Sequence, residues 1–177
     1  MHILLTRPLE DCAEMILKFQ SLGHEISHLP LLYIEPVKYE KVEFSVYKGI
    51  IFTSANAVKN LDVRNIDKKI LCFCVGSATE KKPKISGFQN IFTADGNVLN
   101  LKEVIFKNFE PKTGKLIYVS GEIVTANLEQ QLLNEGYEIK RIINYSSKPN
   151  MNFNQDFIKE LTLKIPDIVY IYSQNSA

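Results

Sequence analysis

The residues best suited to chemistry lie in four corners, where apolar segments give way to small or hydroxyl-bearing residues. These corners are residues 52–56 (FTSAN), 75–79 (VGSAT), 119–122 (VSGE) and 172–176 (YSQNS). Small residues at a strand-to-helix junction leave backbone N–H groups accessible, and helix N-termini attract anions. In an open α/β sheet such corners gather at the carboxyl edge, where ligands bind. The sequence therefore predicts a ligand with several negative groups.

Two single residues could act on such a ligand, although each also has an ordinary structural explanation. Tyr145 follows an apolar segment, and its phenol could donate a proton or its ring could simply pack. Arg7, one of three arginines, ends the first predicted strand and could bind a carboxylate or remain a surface charge. Ser54 could cap a helix, and Thr79 could bond to nearby backbone.

Several other chemistries find little support in the sequence. The chain contains neither Gly-x-Gly-x-x-Gly nor a phosphate-binding Gly-x-x-x-x-Gly-Lys motif, which argues against a bound dinucleotide, ATP or FMN. Cys72 and Cys74 share one face of a strand, and without a second pair of ligands we expect core cysteines rather than a metal site. Gly-x-Ser-x-Gly is absent, so a serine hydrolase is not indicated. We expect no cofactor.

Composition indicates a globular protein that binds neither nucleic acid nor membrane. The 177 residues include 45% hydrophobic residues, enough for a sizeable core, and 21 basic residues are balanced by 20 acidic ones. No apolar run is long enough to span a membrane, and the first residues lack the features of a signal peptide. Three cysteines do not form a disulfide framework, so we expect a cytoplasmic protein.

The elements that must position these residues alternate between strands and helices. Continuous apolar runs at residues 3–6, 50–53, 70–75 and 116–119 predict strands that are buried on both faces. Apolar residues recur at helical spacing over residues 9–19 and 98–109, which predicts amphipathic helices. Glycines 23, 87 and 136 each precede a predicted strand, as expected of a glycine that caps the end of a helix. This alternation predicts an α/β fold with parallel sheets.

Two extended stretches, residues 25–38 and 140–150, interrupt the alternation and predict crossings between two modules. The fold expected is therefore α/β, with two parallel-sheet, flavodoxin-like modules joined by a two-segment extended linker. We assign residues 1–32 plus 150–177 to a first, discontinuous and incomplete module, and residues 37–143 to a second. A cleft between the modules is the expected ligand site.

The ordered motifs resemble the uroporphyrinogen-III synthase family. The matching segments are residues 4–8 (LLTRP), 49–58 (GIIFTSANAV), 75–79 (VGSAT), 94–97 (ADGN), 119–122 (VSGE), 144–145 (NY) and 172–177 (YSQNSA). The resemblance implies a cofactor-free lyase of haem (tetrapyrrole) biosynthesis, acting on a small-molecule polycarboxylate. That enzyme closes linear hydroxymethylbilane into uroporphyrinogen III, with loss of water and inversion of the last pyrrole ring.

The resemblance also implies roles for individual residues. Tyr145 would be the catalytic acid that assists departure of the hydroxyl group. The residues implied to contact substrate are Arg7, Thr53, Ser54, Ala55, Gly76, Ala78, Thr79, Gly121 and Ser173.

One departure from the family keeps alternatives open. The chain ends at Ala177, where the family continues, so we expect two βα units, roughly 60 residues, to be missing from the first module. A non-catalytic or truncated tetrapyrrole-binding or interaction module is therefore a second hypothesis, and a flavodoxin-like signalling or nucleotide module is a third. We expect a monomer, with a dimer through the unfinished sheet edge as the alternative.

Overall fold

The computed structural model describes residues 1–171 and divides the chain into two compact units. The first unit contains residues 1–35 and 147–177, and the second contains residues 36–146. Ser173, a predicted substrate contact, lies outside the described residues. The strands are β1 (His2–Leu5), β2 (Glu25–His28), β3 (Leu32–Pro36), β4 (Tyr47–Phe52), β5 (Leu71–Val75), β6 (Asn90–Ala94), β7 (Lys115–Gly121), β8 (Ile139–Pro149) and β9 (Ile168–Tyr170). The α-helices are α1 (Leu9–Ser21), α2 (Ala55–Lys59), α3 (Ser77–Ile85), α4 (Val98–Asn108), α5 (Leu128–Asn134) and α6 (Gln155–Leu163).

The first unit is built on a three-stranded sheet in the order β2-β1-β9, and both pairings are parallel. Its small core consists of Ile3, Leu5 and Cys12, with α1 packed against the sheet. Within residues 1–171, no helix has the length and apolar character needed to cross a membrane.

The second unit carries most of a six-stranded sheet in the order β3-β8-β7-β4-β5-β6. The pairings from β8 through β6 are all parallel. Ile50, Ile51 and Phe52 of β4 are fully buried, because helices cover both faces of the sheet. Leu101 of α4 packs in the core on one face and Val58 of α2 in the core on the other. The α/β fold with parallel sheets predicted from the alternation is confirmed.

The extended segment 25–38 forms two strands, β2 and β3. β2 pairs with β1, whereas β3 lies beside β8 in the larger sheet. Pro30 lies between the two strands, and proline has no N–H to donate to a ladder. The N–H of Val37 donates to the carbonyl of Asn144 (2.9 Å), and that of Asn150 donates to Leu31 (2.8 Å). Residue numbers therefore rise from 31 to 37 on one side while they fall from 150 to 144 on the other, so β3 and β8 are antiparallel.

A register shift between β7 and β8 sets the position of Asn144. Ser120 pairs with Ile143 but Gly121 pairs with Tyr145, so Asn144 is an extra residue in β8. Its side chain is fully buried, and its amide nitrogen donates to the carbonyl of Ala57 in α2 (2.7 Å). This bond fastens the shifted part of β8 to the corner that follows β4.

The three cysteines are expected to resist alkylation while the chain is folded. Cys12, Cys72 and Cys74 are at most 1% exposed, and the sulfurs of Cys72 and Cys74 lie 3.7 Å apart. The hydrogen bond with Cys74, followed by burial, raises the pKa of Cys72, and burial raises that of Cys12. Because the thiolate is the reactive form, native protein should take up almost no iodoacetamide at mildly alkaline pH, and unfolded protein should label at all three sites.

The matched control is Ile85→Cys, which places a thiol at a position that is 82% exposed. Mass spectrometry should find this thiol labelled in the native state. Rapid native labelling of Cys72 or Cys74 would contradict the buried arrangement.

Removal of the Asn144 side chain should destabilise the second unit. Asn144→Ala leaves the Ala57 carbonyl without its donor and opens a cavity, which should lower the free energy of unfolding by about 1–3 kcal/mol. Asn108→Ala is the matched control, because its amide also donates to a carbonyl, that of Val104 (2.8 Å), but on an exposed surface. The control should change stability by no more than about 0.5 kcal/mol in urea denaturation. Equal effects of the two substitutions would contradict the assigned role of Asn144.

Candidate functional site

Four neighbouring strands of the second unit bring most of the predicted site residues to one edge of the sheet. β8, β7, β4 and β5 are adjacent and parallel, so their carboxyl ends face the same way. Residue 145 pairs with residue 121 at the end of β7. The predicted residues along this edge are Tyr145, Gly121, Thr53, Ser54, Ala55, Gly76, Ala78 and Thr79.

The corner after β4 contains both a helix cap and a buried hydroxyl pair. The Ser54 hydroxyl accepts the N–H of Asn56 (3.2 Å), which is the capping interaction considered from the sequence. The Thr53 hydroxyl lies 3.0 Å from the Tyr118 hydroxyl of β7. Ser54 and Ala55 remain partly exposed. The corner therefore offers backbone and hydroxyl groups at its surface, while Thr53 also ties β4 to β7.

Gly76 makes the corner after β5 possible. Its φ of 75° lies in the left-handed region that favours glycine, and its carbonyl accepts the N–H groups of Thr79 and Glu80 (both 3.1 Å). The first N–H groups of a helix have no acceptor within the helix. Ser77 and Ala78 are the first two residues of α3, and both are exposed. Only 5% of Thr79 is exposed, so its side chain lies at the base of the corner. This corner can donate backbone hydrogen bonds to an anion.

Tyr145 lies directly across Gly121 at the end of β7. A Cβ atom at residue 121 would come within 2.6 Å of Tyr145 Cζ and 2.9 Å of its hydroxyl oxygen. No side chain fits there, so glycine allows the ring to lie against the backbone. The Tyr145 ring is partly buried and packs against the core that contains Phe52 and Val119. Because a phenol is more acidic than an aliphatic hydroxyl, Tyr145 is the best proton donor among the predicted residues of this edge.

The corner at residues 119–122 differs from the expected strand-to-helix junction. The next helix, α5, does not begin until Leu128, and the N–H of Glu122 donates to the carbonyl of Tyr145 (3.0 Å). The backbone here continues the ladder with β8 instead of leaving an N–H open. The expectation of an anion-binding helix start at this corner is wrong, because a neighbouring strand supplies the acceptor.

Arg141 is a residue of this edge that the sequence did not single out. From β8, its Nε donates to the Ser120 hydroxyl (2.7 Å), and its Nη2 donates to the carbonyls of Gly121 (2.7 Å) and Glu122 (3.0 Å). The guanidinium carbon lies 6.0 Å from the centroid of the Tyr118 ring. The only sequence signal is the rarity of arginine, which drew attention to Arg7 instead.

Tyr118 remains a neutral phenol within this arrangement. Burial raises the pKa of Tyr118, and this outweighs the opposing effects of the Thr53 hydrogen bond and the nearby Arg141 charge. The side chain is 1% exposed. Tyr118 therefore packs in the core beneath the surface of the edge, where it contacts Thr53, and it is not accessible to a ligand.

An open pocket of about 400 Å³ adjoins the edge within the second unit. It is formed by β8, by residues 37–40 between β3 and β4, and by Glu122 directly after β7. The lining residues are Val37, Lys38, Tyr39, Glu40, Glu122, Lys140, Arg141, Ile142 and Ile143. Within residues 1–171, no three His, Cys, Asp or Glu side chains are grouped as metal ligands would be.

Arg7 belongs to the first unit, where it follows β1. Its Nη2 lies 3.6 Å from a carboxylate oxygen of Asp11 in α1, and its carbonyl oxygen lies 2.7 Å from Nε2 of His28. The Arg7 side chain is 38% exposed, so part of it remains accessible. The structure gives Arg7 an acidic neighbour in its own unit, and its role as a substrate contact stays a prediction.

Comparison with known proteins identifies the family. A family model described as uroporphyrinogen-III synthase HemD matches residues 13–177. Uroporphyrinogen-III synthetase from Helicobacter pylori 26695 superposes with a TM-score of 0.60 at 17% identity, covering 96% of this chain and 72% of that one. A mutant uroporphyrinogen III synthase from the extremely thermophilic bacterium Thermus thermophilus gives a TM-score of 0.51 at 15% identity, with coverages of 93% and 69%. No curated protein matches the chain.

At these identities the solved structures support the fold, and the family model supports the assignment. The match extends over nearly the whole chain and includes every corner of the candidate edge. The chain belongs to the uroporphyrinogen-III synthase family.

Proposed function

We propose that this chain closes hydroxymethylbilane into uroporphyrinogen III. The observation that carries the proposal is the Tyr145 hydroxyl held against Gly121 on the carboxyl edge, in a chain of this family. The substrate is a linear tetrapyrrole with eight carboxylates. Backbone donors and hydroxyl groups spread along one edge suit a ligand with many separate negative groups.

The chemistry proposed begins with loss of the terminal hydroxyl group of the substrate. Tyr145 donates its phenolic proton to the leaving oxygen, and water departs. The electrophilic carbon that remains is attacked by the substituted carbon of the last pyrrole, which gives a spiro intermediate. A carbon–carbon bond of that intermediate then breaks and re-forms with the last ring inverted. The final closure releases a proton from a ring carbon, which balances the proton given to water.

The protein's contribution in this scheme is orientation and electrostatic stabilisation. The pyrroles supply the electrons, so the proposed reaction uses no cofactor. Ring inversion requires that the last pyrrole be held for attack at its substituted carbon, because unassisted closure gives the symmetric type I isomer. The residues proposed to hold the carboxylates are Arg7, Thr53, Ser54, Ala55, Gly76, Ala78, Thr79 and Ser173, whereas Gly121 makes room for the Tyr145 ring.

We also propose that the two units correspond to two flavodoxin-like modules, with β3 and β8 as the extended segments that connect them. Both strands include residues on either side of the unit boundaries, at residues 35/36 and 146/147. A cytoplasmic monomer is the form that we propose to be active.

The product isomer tests the function directly. Purified chain is supplied with freshly generated hydroxymethylbilane, the products are oxidised, and the type I and type III isomers are separated. Type III should predominate, because only directed closure inverts the last ring. Type I alone, formed at the uncatalysed rate, would contradict the proposal and leave a binding module as the remaining interpretation.

Removal of one oxygen tests the role of Tyr145. Tyr145→Phe keeps the ring against Gly121 but removes the proton donor, so type III formation should fall by roughly 10²-fold with little change in melting temperature. Tyr47→Phe is the matched control, since Tyr47 begins β4 at the opposite, amino edge of the sheet. The control should retain full activity. Unchanged turnover by Tyr145→Phe would remove Tyr145 as the acid.

A further inference from the structure

We propose that Arg141 is a positioning residue that holds the Gly121–Glu122 corner in the place where Tyr145 can act. The inference rests on the proposed function, since it concerns the geometry of that site. Arg141 would not touch the substrate. It would act through the backbone on which the Tyr145 ring lies.

The geometry is that of one planar group bound to three consecutive residues. Nε of Arg141 donates to the Ser120 hydroxyl, and Nη2 donates to the carbonyls of Gly121 and Glu122, at 2.7, 2.7 and 3.0 Å. The Ser120 hydroxyl in turn donates to the Gly121 carbonyl (3.0 Å). Charge-assisted bonds from a guanidinium are stronger and more directional than neutral ones. The three residues are therefore fixed relative to the Arg141 side chain.

The same corner is held from β8 by a second contact. The N–H of Glu122 donates to the carbonyl of Tyr145 (3.0 Å). Arg141 thus donates to the carbonyls of Gly121 and Glu122, while the backbone carbonyl of Tyr145 accepts the Glu122 N–H that lies between them. With Arg141 removed, Glu122 keeps one backbone bond at a point where the ladder has already shifted register.

A displacement of the Gly121–Glu122 corner would change the position of the Tyr145 hydroxyl. The Tyr145 ring lies directly against the Gly121 backbone, because a Cβ atom at residue 121 would be only 2.8 Å from Tyr145 Cε2. A small movement of Gly121 therefore moves the ring or opens a gap beneath it. Misplacement of a catalytic group by about 1 Å can cost on the order of 10²-fold in rate.

The position of Arg141 is not explained by an ion pair, although its guanidinium carbon also lies 6.0 Å from the centroid of the Tyr118 ring. Among the described residues, no carboxylate forms an ion pair with its guanidinium, and the Glu129 carboxylate instead accepts the Arg141 backbone N–H (3.2 Å). Lysine could not replace the three contacts, because an ammonium group is a compact point charge without the planar fork of donors.

The test compares Arg141→Gln and Arg141→Lys with Arg64→Gln, which removes an exposed arginine that is paired with Asp62. Both Arg141 variants should lower kcat for type III formation by on the order of tenfold to a hundredfold, with KM nearly unchanged, and Arg64→Gln should match the parent. Arg141→Lys keeps the positive charge and the aliphatic part of the side chain but loses the planar guanidinium. It therefore tests the role of the three hydrogen bonds even if Arg141→Gln fails to fold.

A double-mutant cycle separates positioning from general damage. In a Tyr145→Phe background, Arg141→Gln should lower kcat little further, because the group that it positions is already gone. Full additivity of the two substitutions, or an unchanged kcat in the single variants, would overturn the proposal.

Amide hydrogen exchange supplies a measurement that does not depend on activity. The Glu122 amide should exchange faster in both Arg141 variants and remain as in the parent in Arg64→Gln. Unchanged exchange would overturn the proposed clamp. A parent chain that makes no type III product would overturn the proposed function instead, and the Glu122 amide would still report whether Arg141 holds the corner.

Discussion

Parallel hydrogen bonding between β8, β7, β4 and β5 is the constraint on which the proposed site depends. Parallel strands place their carboxyl ends on one edge, so segments far apart in the sequence must meet there. The interior apolar residues of β4, β5 and β7 are buried on both faces of the sheet, and the corners after β4 and β5 carry partly exposed polar groups. The burial that stabilises the sheet therefore also assembles the site.

Within that edge, the close approach of Tyr145 to Gly121 has consequences for its neighbours. The ring occupies the space of a side chain at residue 121, and the shift in β8 that brings it there adds Asn144 to the strand. Buried polar groups require partners, and Asn144 finds one in the Ala57 carbonyl. Arg141 binds the carbonyls on the other strand. The corner is thus held by polar contacts on both strands.

Local patterns in the sequence predicted the fold and part of the candidate edge. Apolar runs identified the buried strands, and small residues after them identified the corners at Ser54 and Gly76, because strand burial and helix capping depend on residues near in sequence. The alternative role of Ser54 as a helix cap was also anticipated, and the structure contains that bond.

Contacts that depend on strand register could not be predicted in the same way. Arg141 meets Ser120 only because β7 and β8 pair in one particular register, and Thr53 meets Tyr118 across 65 residues of chain. The corner at residues 119–122 resembles a helix start in its composition. Its N–H is instead bound by a carbonyl from another strand, and no local pattern reveals such an acceptor.

We expect the tetrapyrrole to bind along the carboxyl edge of the second unit, and amide hydrogen exchange with and without uroporphyrinogen III tests this most directly. The backbone amides of residues 53–55 and 77–78 should become protected when the tetrapyrrole is added. Residues 47–48 and 115 begin β4 and β7 at the opposite edge and should exchange as before. Protection confined to the amino edge, or none at saturating tetrapyrrole, would contradict binding at the carboxyl edge.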